Sequence, residues 1–268
     1  MIKCTCDTCG CFSAKKNKFS FAFCSLIRTF ELRSKVLSFE NAKKNKFSFA
    51  FCSLIRTFAP DMQKKKKILF LHGFYASGQC VPALALMEAF KGRATVLTPD
   101  LPLHPAEAIR LIRDICDKEK PDVLVGNSCG AFYAQIISPI VGIPALLGNP
   151  HFKMSDFLRE RIGSHQYKSP RADGRQDFTI DEQLVKEFEE MEAHQFMDKP
   201  SGLDRRDCRN IYNKVRVWGL FGEEDTLAHF EPLFLEHYTH SFHFPGGHTP
   251  TAEQFMTWYV PLIEKLLK

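Results

Sequence analysis

The chain contains 268 residues, of which 44% are hydrophobic and 25% are charged. These are ordinary values for a globular protein, and no apolar run approaches the ~20 residues that a membrane-spanning helix needs. The net charge of +5 comes from residues 1–61, which hold 11 Lys and Arg against 4 Asp and Glu, whereas residues 62–268 hold 25 against 27. The body of the chain therefore lacks the basic surface of a nucleic-acid-binding protein, and neither a membrane span nor a nucleic-acid partner is predicted.

The first 61 residues contain a perfect internal duplication. Residues 14–30 read AKKNKFSFAFCSLIRTF, and residues 42–58 repeat them without a change. Structural repeats drift in sequence and need three or more units for a stable stack, so two identical copies indicate a recent duplication instead. Met62 follows shortly after the second copy and is a plausible native first residue. We predict that residues 1–61 are a disordered extension without a part in the chemistry, and that the folded domain covers 62–268.

Other interpretations of this extension depend on short patterns. Its tight cysteine cluster (Cys4, Cys6, Cys9, Cys11) could bind a soft metal such as Zn²⁺. However, a second ligand group at finger-like spacing is missing, so no metal site is predicted. The apolar stretch 47–55 follows a basic KKNK as in a signal peptide, but it lacks a convincing cleavage site. DNA binding through the basic arm stays open as an alternative that depends wholly on residues 1–61.

The four cysteines after Met62 are scattered along the chain: Cys80, Cys116, Cys129 and Cys208. Scattered cysteines are typical of reduced thiols rather than of a disulfide framework. A cytoplasmic location is therefore predicted.

Short apolar runs alternate with longer amphipathic segments through the body of the chain. The predicted strands are residues 67–71, 94–98, 122–126, 143–148, 215–221 and 240–244. The predicted helices are residues 79–90, 105–117, 128–139, 227–237 and 251–267. This alternation predicts βαβ units, and hence an α/β fold with a mostly parallel sheet covered by helices on both faces.

Residues 151–213 interrupt this alternation. They are polar and rich in helix formers, and they show no clear strand; residues 181–196 (DEQLVKEFEEMEAHQF) indicate an exposed helix. We predict a small helical cap over the carboxyl ends of the strands, where open α/β sheets bind ligands.

A serine motif, Gly126-Asn127-Ser128-Cys129-Gly130, lies directly after the third predicted strand and before a helix. It matches G-x-S-x-G, in which a strained turn exposes a serine hydroxyl and the flanking positions must be small. The motif predicts Ser128 as a nucleophile. The alternative is that Ser128 only caps the helix that follows.

A serine nucleophile needs a general base, and in this fold the chain order is Ser, acid, His. His248 is the candidate base, because it follows the last strand in a loop with two preceding glycines. The candidate acid follows the preceding strand in Gly222-Glu223-Glu224-Asp225. Asp225 fits that turn, with Glu224 as the rival, since a shift of one residue would exchange them.

The oxyanion of an acyl-transfer intermediate needs hydrogen-bond donors. The backbone N–H groups of Cys129 and Phe74 are the candidates, and Gly73 would let the loop before Phe74 turn sharply. His72 is expected to brace this loop. Cys129 directly follows the serine in the strained turn, where its backbone N–H is the donor. Its side chain is therefore expected to pack in the protein interior.

Taken together, these segments resemble the YqiA/YcfP-like group of small α/β-hydrolases. The matching segments are Leu69–Phe74, Thr98–Pro102, Gly126–Gly130, Asn149-Pro150 and Gly246–His248. The resemblance covers about residues 66–268 and implies a compact esterase-like fold with a Ser–acid–His triad. Two departures are Ser128-Cys129-Gly130-Ala131 in place of S-x-G-G, and Glu-Glu-Asp after Gly222 in place of GDE; the second leaves the acid open.

The predicted function is therefore a serine hydrolase of carboxylic esters or thioesters that needs no cofactor. Its partner is a small acyl ester or thioester. The alternative is a non-catalytic binding protein with the same fold, since a fold does not guarantee a function. The sequence fixes neither the acyl group, the alcohol nor the oligomeric state.

Overall fold

A computed structural model of the chain describes residues 65–196 and 216–268. The predictions about the duplication, the cysteine cluster and the basic arm, all within residues 1–61, lie outside the described residues. Cys208 and residues 197–213 of the predicted cap lie outside them as well.

Six strands form one sheet in which every neighbouring pair is parallel. The strands are β1 (Lys66–Leu71), β2 (Ala94–Leu97), β3 (Val123–Asn127), β4 (Ala145–Gly148), β7 (Val217–Gly222) and β8 (His240–Phe244). Their order across the sheet is β2-β1-β3-β4-β7-β8. All six carboxyl ends therefore meet at one edge, with β1 and β2 on one side of β3 and with β7 and β8 on the other.

The helices largely follow the predicted positions. They are α1 (Val81–Ala89), α2 (Pro105–Glu119), α3 (Cys129–Val141), α4 (Met154–Arg159), α5 (Glu182–Glu192), α6 (Glu231–His237), α7 (Ala252–Gln254) and α8 (Val260–Leu266), with a π-helical turn Phe255–Tyr259 between the last two. The π-helical turn ends two residues before Pro261, which has no N–H to donate into the preceding turn.

Two apolar cores lie on the two faces of the sheet. Along β1, Leu69 and Leu71 belong to one core, whereas Ile68 and Phe70 belong to the other. Such alternation is what a strand buried on both faces requires, because successive side chains point to opposite sides. None of the described helices is long and apolar enough to cross a membrane.

The expectation that residues 151–213 contain no strand is wrong. Gly163–Gln166 (β5) and Asp177–Ile180 (β6) form an antiparallel hairpin between α4 and α5. Helix α5 is amphipathic rather than wholly exposed, since Leu184, Val185 and Phe188 are buried. The insertion as described is therefore a hairpin flanked by two helices.

Candidate active site

Ser128 occupies a sharp turn between β3 and α3. Its backbone has φ 55° and ψ −118°, a conformation that costs a non-glycine residue about 1–3 kcal/mol. A Cβ on Gly126 would lie 2.4 Å from the Gly130 carbonyl oxygen, and one on Gly130 would lie 1.9 Å from that of Leu71. Both positions therefore require glycine. The Ser128 side chain makes no capping bond to α3, so capping is not its role.

Three predicted residues meet at the edge of the sheet. His248 Nε2 lies 2.7 Å from Ser128 Oγ, and His248 Nδ1 lies 2.8 Å from Asp225 Oδ2. Because a carboxylate only accepts hydrogen bonds, the proton of a neutral imidazole resides on Nδ1 here. Nε2 is then free to accept the hydroxyl proton of Ser128. The arrangement forms a continuous hydrogen-bonded chain from the hydroxyl to the carboxylate.

Asp225, not Glu224, is the carboxylate that contacts the imidazole. Asp225 is only 4% exposed, and its Oδ1 accepts hydrogen bonds from the backbone N–H groups of Leu227 and Ala228 at 2.8 and 3.1 Å. Burial alone would raise its pKa, but the hydrogen bond and charge of His248 and these two N–H groups outweigh burial, so the pKa of Asp225 is lowered. The Glu224 side chain is exposed to solvent.

Asn149 ties the histidine loop to the end of β7, a contact that the sequence analysis did not predict. Its Nδ2 donates to the carbonyl oxygens of Gly247 and His248, both at 2.9 Å. Its Oδ1 accepts from the Gly222 N–H at 2.6 Å. Asn149 is 1% exposed and has φ 42°, a region that asparagine enters more readily than most residues. A signal was available in the Asn149-Pro150 dipeptide after β4, but nothing in it indicated the partners.

The two candidate oxyanion donors lie on adjacent segments of the same edge. Within the described residues, the N–H groups of Phe74 and Cys129 have no acceptor. The predicted sharp turn at Gly73 needs no positive φ, and a Cβ there would make an ordinary contact, 3.5 Å from Ser128 Cβ. Burial raises the pKa of the Cys129 thiol to about 12, so this thiol stays protonated and is a poor nucleophile.

His72 braces the loop after β1, as expected. Its Nδ1–H donates to the Gly73 carbonyl oxygen at 2.8 Å, and its Nε2 accepts from the Leu101 N–H at 2.9 Å. Burial lowers the pKa of His72 to about 4, so the ring is neutral. The loops after β1 and β2 are thereby joined through one side chain.

The insertion is fastened to these same loops by hydrogen bonds. Asp100, just after β2, accepts from the Gly78 N–H at 2.7 Å and from the Ala172 N–H at 2.6 Å. The Lys168 N–H donates to the Tyr75 carbonyl oxygen at 2.8 Å. Because Asp100 holds both partners with one carboxylate, the insertion and the loop that carries Phe74 have a fixed relation.

His151 is a third histidine at this edge, and the sequence analysis did not predict it. It is 5% exposed, and its ring packs between those of Phe157 and Phe230, with centroids 5.1 and 5.0 Å away. Burial, with a contribution from nearby His248, lowers its pKa to about 4. Its Nδ1 is buried without a hydrogen-bond partner among the described residues.

No group of three or more His, Cys, Asp or Glu side chains among the described residues is placed to hold a metal ion.

The parallel six-stranded sheet, its strand order and the sharp turn at Ser128 after β3 define an α/β-hydrolase fold. Within that class, the chain belongs to the uncharacterised protein family UPF0227, whose model matches residues 67–234. The resemblance to the YqiA/YcfP-like group, drawn from the sequence, is confirmed by this match.

Solved structures share the fold at low sequence identity. Est1E from Butyrivibrio proteoclasticus has a TM-score of 0.53 and 14% identity, covering 78% of this chain and 91% of that one. A putative hydrolase from Agrobacterium vitis S4 has a TM-score of 0.53 and 15% identity, covering 76% and 88%. The mouse alpha/beta hydrolase domain-containing protein 10 has a TM-score of 0.50 and 14% identity, covering 75% and 90%.

Proposed function

We propose that the protein is a serine hydrolase that cleaves carboxylic esters or thioesters through an acyl-enzyme on Ser128. The observation that carries the proposal is the chain of short distances from Ser128 Oγ to His248 Nε2 and from His248 Nδ1 to Asp225 Oδ2, 2.7 and 2.8 Å. A serine hydroxyl becomes a useful nucleophile only beside such a base. The names of further structurally similar proteins, the esterase domain of a Rhodothermus marinus protein and the lipolytic enzymes LipS and LipT, agree with this class of reaction.

In the acylation step, Ser128 Oγ forms a bond to the carbonyl carbon of the substrate while its proton passes to His248 Nε2. Asp225 keeps Nδ1 protonated and stabilises the imidazolium that results. The negative charge on the carbonyl oxygen is met by the N–H groups of Phe74 and Cys129. His248 then gives the proton to the departing alkoxide or thiolate as the bond from the acyl carbon to the leaving group breaks.

Deacylation repeats these steps with water. His248 takes a proton from water, whose oxygen attacks the acyl carbon, and returns it to Ser128 Oγ as the acid leaves. The side chains need no redox change and no further reactant, since the proton that enters His248 leaves it in each half-reaction.

Replacing the nucleophile tests the proposal directly. We expect the full chain to hydrolyse p-nitrophenyl acetate and to bind a fluorophosphonate covalently at Ser128, and we expect Ser128→Ala to lose both properties. Removal of such a group typically lowers kcat by about 10⁶-fold. Peptide mapping by tandem mass spectrometry after labelling locates the adduct, and Cys129→Ser is the matched control for reaction at the neighbouring thiol.

A wild-type protein that takes no label and hydrolyses no ester would instead favour the non-catalytic binding protein. Label that survives Ser128→Ala would place the reactive group elsewhere. Either result would reject Ser128 as the nucleophile.

A further inference from the structure

A small cavity lies beside the candidate oxyanion donors, on the side of β3 that carries β1 and β2. Its walls come from the loops after β1 and β2, from α3 and from the insertion, and include Phe74, Leu101, Leu103, Cys129, Tyr133 and Tyr167. Asp225 and His248 lie on the opposite side of β3, after β7 and β8. The cavity and the proton-transfer groups therefore flank Ser128 from opposite directions.

This arrangement indicates where each substituent on the carbonyl carbon of a bound ester lies. The carbonyl oxygen is directed to the N–H groups of Phe74 and Cys129, and the leaving group must face His248, from which it receives its proton. The remaining substituent of the acyl carbon then points away from His248, toward the cavity. Since two cavity walls are the donor residues themselves, the first carbon of the acyl chain is the group that would enter it.

The size of the cavity limits what fits. Its volume is about 10 Å³, which is space for about one water-sized group, and a methyl group is of similar size. Two of the aromatic lining residues are buried: Tyr133 is 2% exposed and Tyr167 is 8% exposed. The Tyr167 ring lies 4.5 Å from that of Phe178 and 4.5 Å from the Arg171 guanidinium carbon, and its backbone N–H donates to the Gln176 carbonyl oxygen at 2.9 Å.

We propose that this cavity is the acyl subsite and that it selects acetyl esters and thioesters over longer acyl groups. The proposal rests on the proposed function, because it takes Ser128 as the nucleophile. The lining is mostly apolar and aromatic, which suits a methyl group and leaves a charged acyl chain without a partner. Tyr167 is the specificity-determining residue, since it is the lining residue that the insertion supplies.

The test is the acyl-chain preference of the full chain, measured as kcat/KM on p-nitrophenyl acetate, butyrate and hexanoate. One methylene that a pocket does not fit typically changes kcat/KM by about tenfold or more. We expect acetate to exceed butyrate by at least that factor and hexanoate by more. In Tyr167→Ala we expect the hexanoate-to-acetate ratio to rise by about tenfold or more, while acetate is still hydrolysed.

Leu103→Ala enlarges the cavity from the β2 side and is the second variant if Tyr167→Ala fails to fold. Phe157→Ala is the matched control, because it removes an aromatic ring from the same insertion, near His151 rather than at the cavity. Its acyl-chain ratio should equal that of the wild type.

Two different failures are distinguishable. A wild type that labels at Ser128 but hydrolyses hexanoate as well as acetate overturns the acyl subsite and leaves the nucleophile in place. Unchanged ratios in both enlarged variants overturn it as well. A wild type with neither label nor turnover overturns the proposed function and, with it, the subsite.

Discussion

At the residue scale, the chemistry depends on which carboxylate faces His248. In the loop after β7, Glu224 and Asp225 are adjacent in the sequence. A loop has no hydrophobic period, so the sequence alone does not show which of the two carboxylates faces the imidazole. Burial distinguishes them: Asp225 is enclosed and accepts three hydrogen bonds, from His248 and two backbone N–H groups, whereas Glu224 is exposed. A carboxylate that is to orient an imidazole benefits from such enclosure, because its position is then fixed.

Neutral isosteres at the two positions test this assignment. Asp225→Asn can still be accommodated in size but places the wrong tautomer on His248, so we expect kcat for p-nitrophenyl acetate to fall by about 10³- to 10⁴-fold. Glu224→Gln should retain most of the activity. Circular dichroism establishes that both variants fold, and the reverse pattern of losses would transfer the role to Glu224.

At the element scale, the loops after β4, β7 and β8 act as one assembly through Asn149. A Cβ on Gly222 would lie 2.4 Å from the Gly246 carbonyl oxygen, so the loops after β7 and β8 are in close contact, and the Asn149 amide satisfies polar groups on both. Without that amide, the Gly222 N–H and the carbonyl oxygens of Gly247 and His248 lose these bonds. Each unpaired buried group costs about 1–3 kcal/mol, much of which water can recover near the site.

Asn149→Gly removes the amide while keeping a residue that tolerates φ 42°, so backbone strain does not confuse the result. We expect kcat to fall by about tenfold to a hundredfold with little change in KM, because the position of His248 relative to Ser128 is loosened. Ser138→Ala is the control for stability alone, since its buried hydroxyl bonds the Ile143 carbonyl at 2.6 Å, outside the site. If both variants lose stability but neither loses kcat, Asn149 has no positioning role.

Strands and helices were predictable from the sequence where their burial produces a regular pattern of apolar residues. Strands β3 and β4 in the middle of the sheet are buried at every residue, and they lie at or beside the predicted residues 122–126 and 143–148. The hairpin of β5 and β6 escaped prediction because its four-residue strands are half exposed: only Phe178 and Ile180 are buried among its eight residues. Contacts between loops distant in sequence, such as those of Asn149 and Tyr167, carry no local signal, so they required coordinates.

At the scale of the whole molecule, two buried neutral histidines make the folded state sensitive to acid. His72 and His151 are 3% and 5% exposed, and burial lowers the pKa of each from 6.5 to about 4. Above pH 6.5 neither the folded nor the unfolded chain protonates them. Between pH 6.5 and 4 the unfolded chain binds these protons and the folded chain does not, so stability is lost as the pH falls through this window.

The stability curve should therefore steepen below pH 6.5, by on the order of 1 kcal/mol per histidine for each pH unit until about pH 4. His151→Leu removes one of the two titrating groups. Because the His151 Nδ1 has no hydrogen-bond partner among the described residues, an apolar side chain there loses no hydrogen bond from that atom. We expect this variant to show about half of the acid slope that the two histidines contribute. Urea unfolding of the full chain at pH 7.5, 6.5, 5.5 and 4.5 measures both curves, with His72→Gln as the companion variant. Parallel curves for the wild type and both variants would mean that the histidines titrate alike in the folded and unfolded chains, and that the acid sensitivity of the molecule lies in its carboxylates.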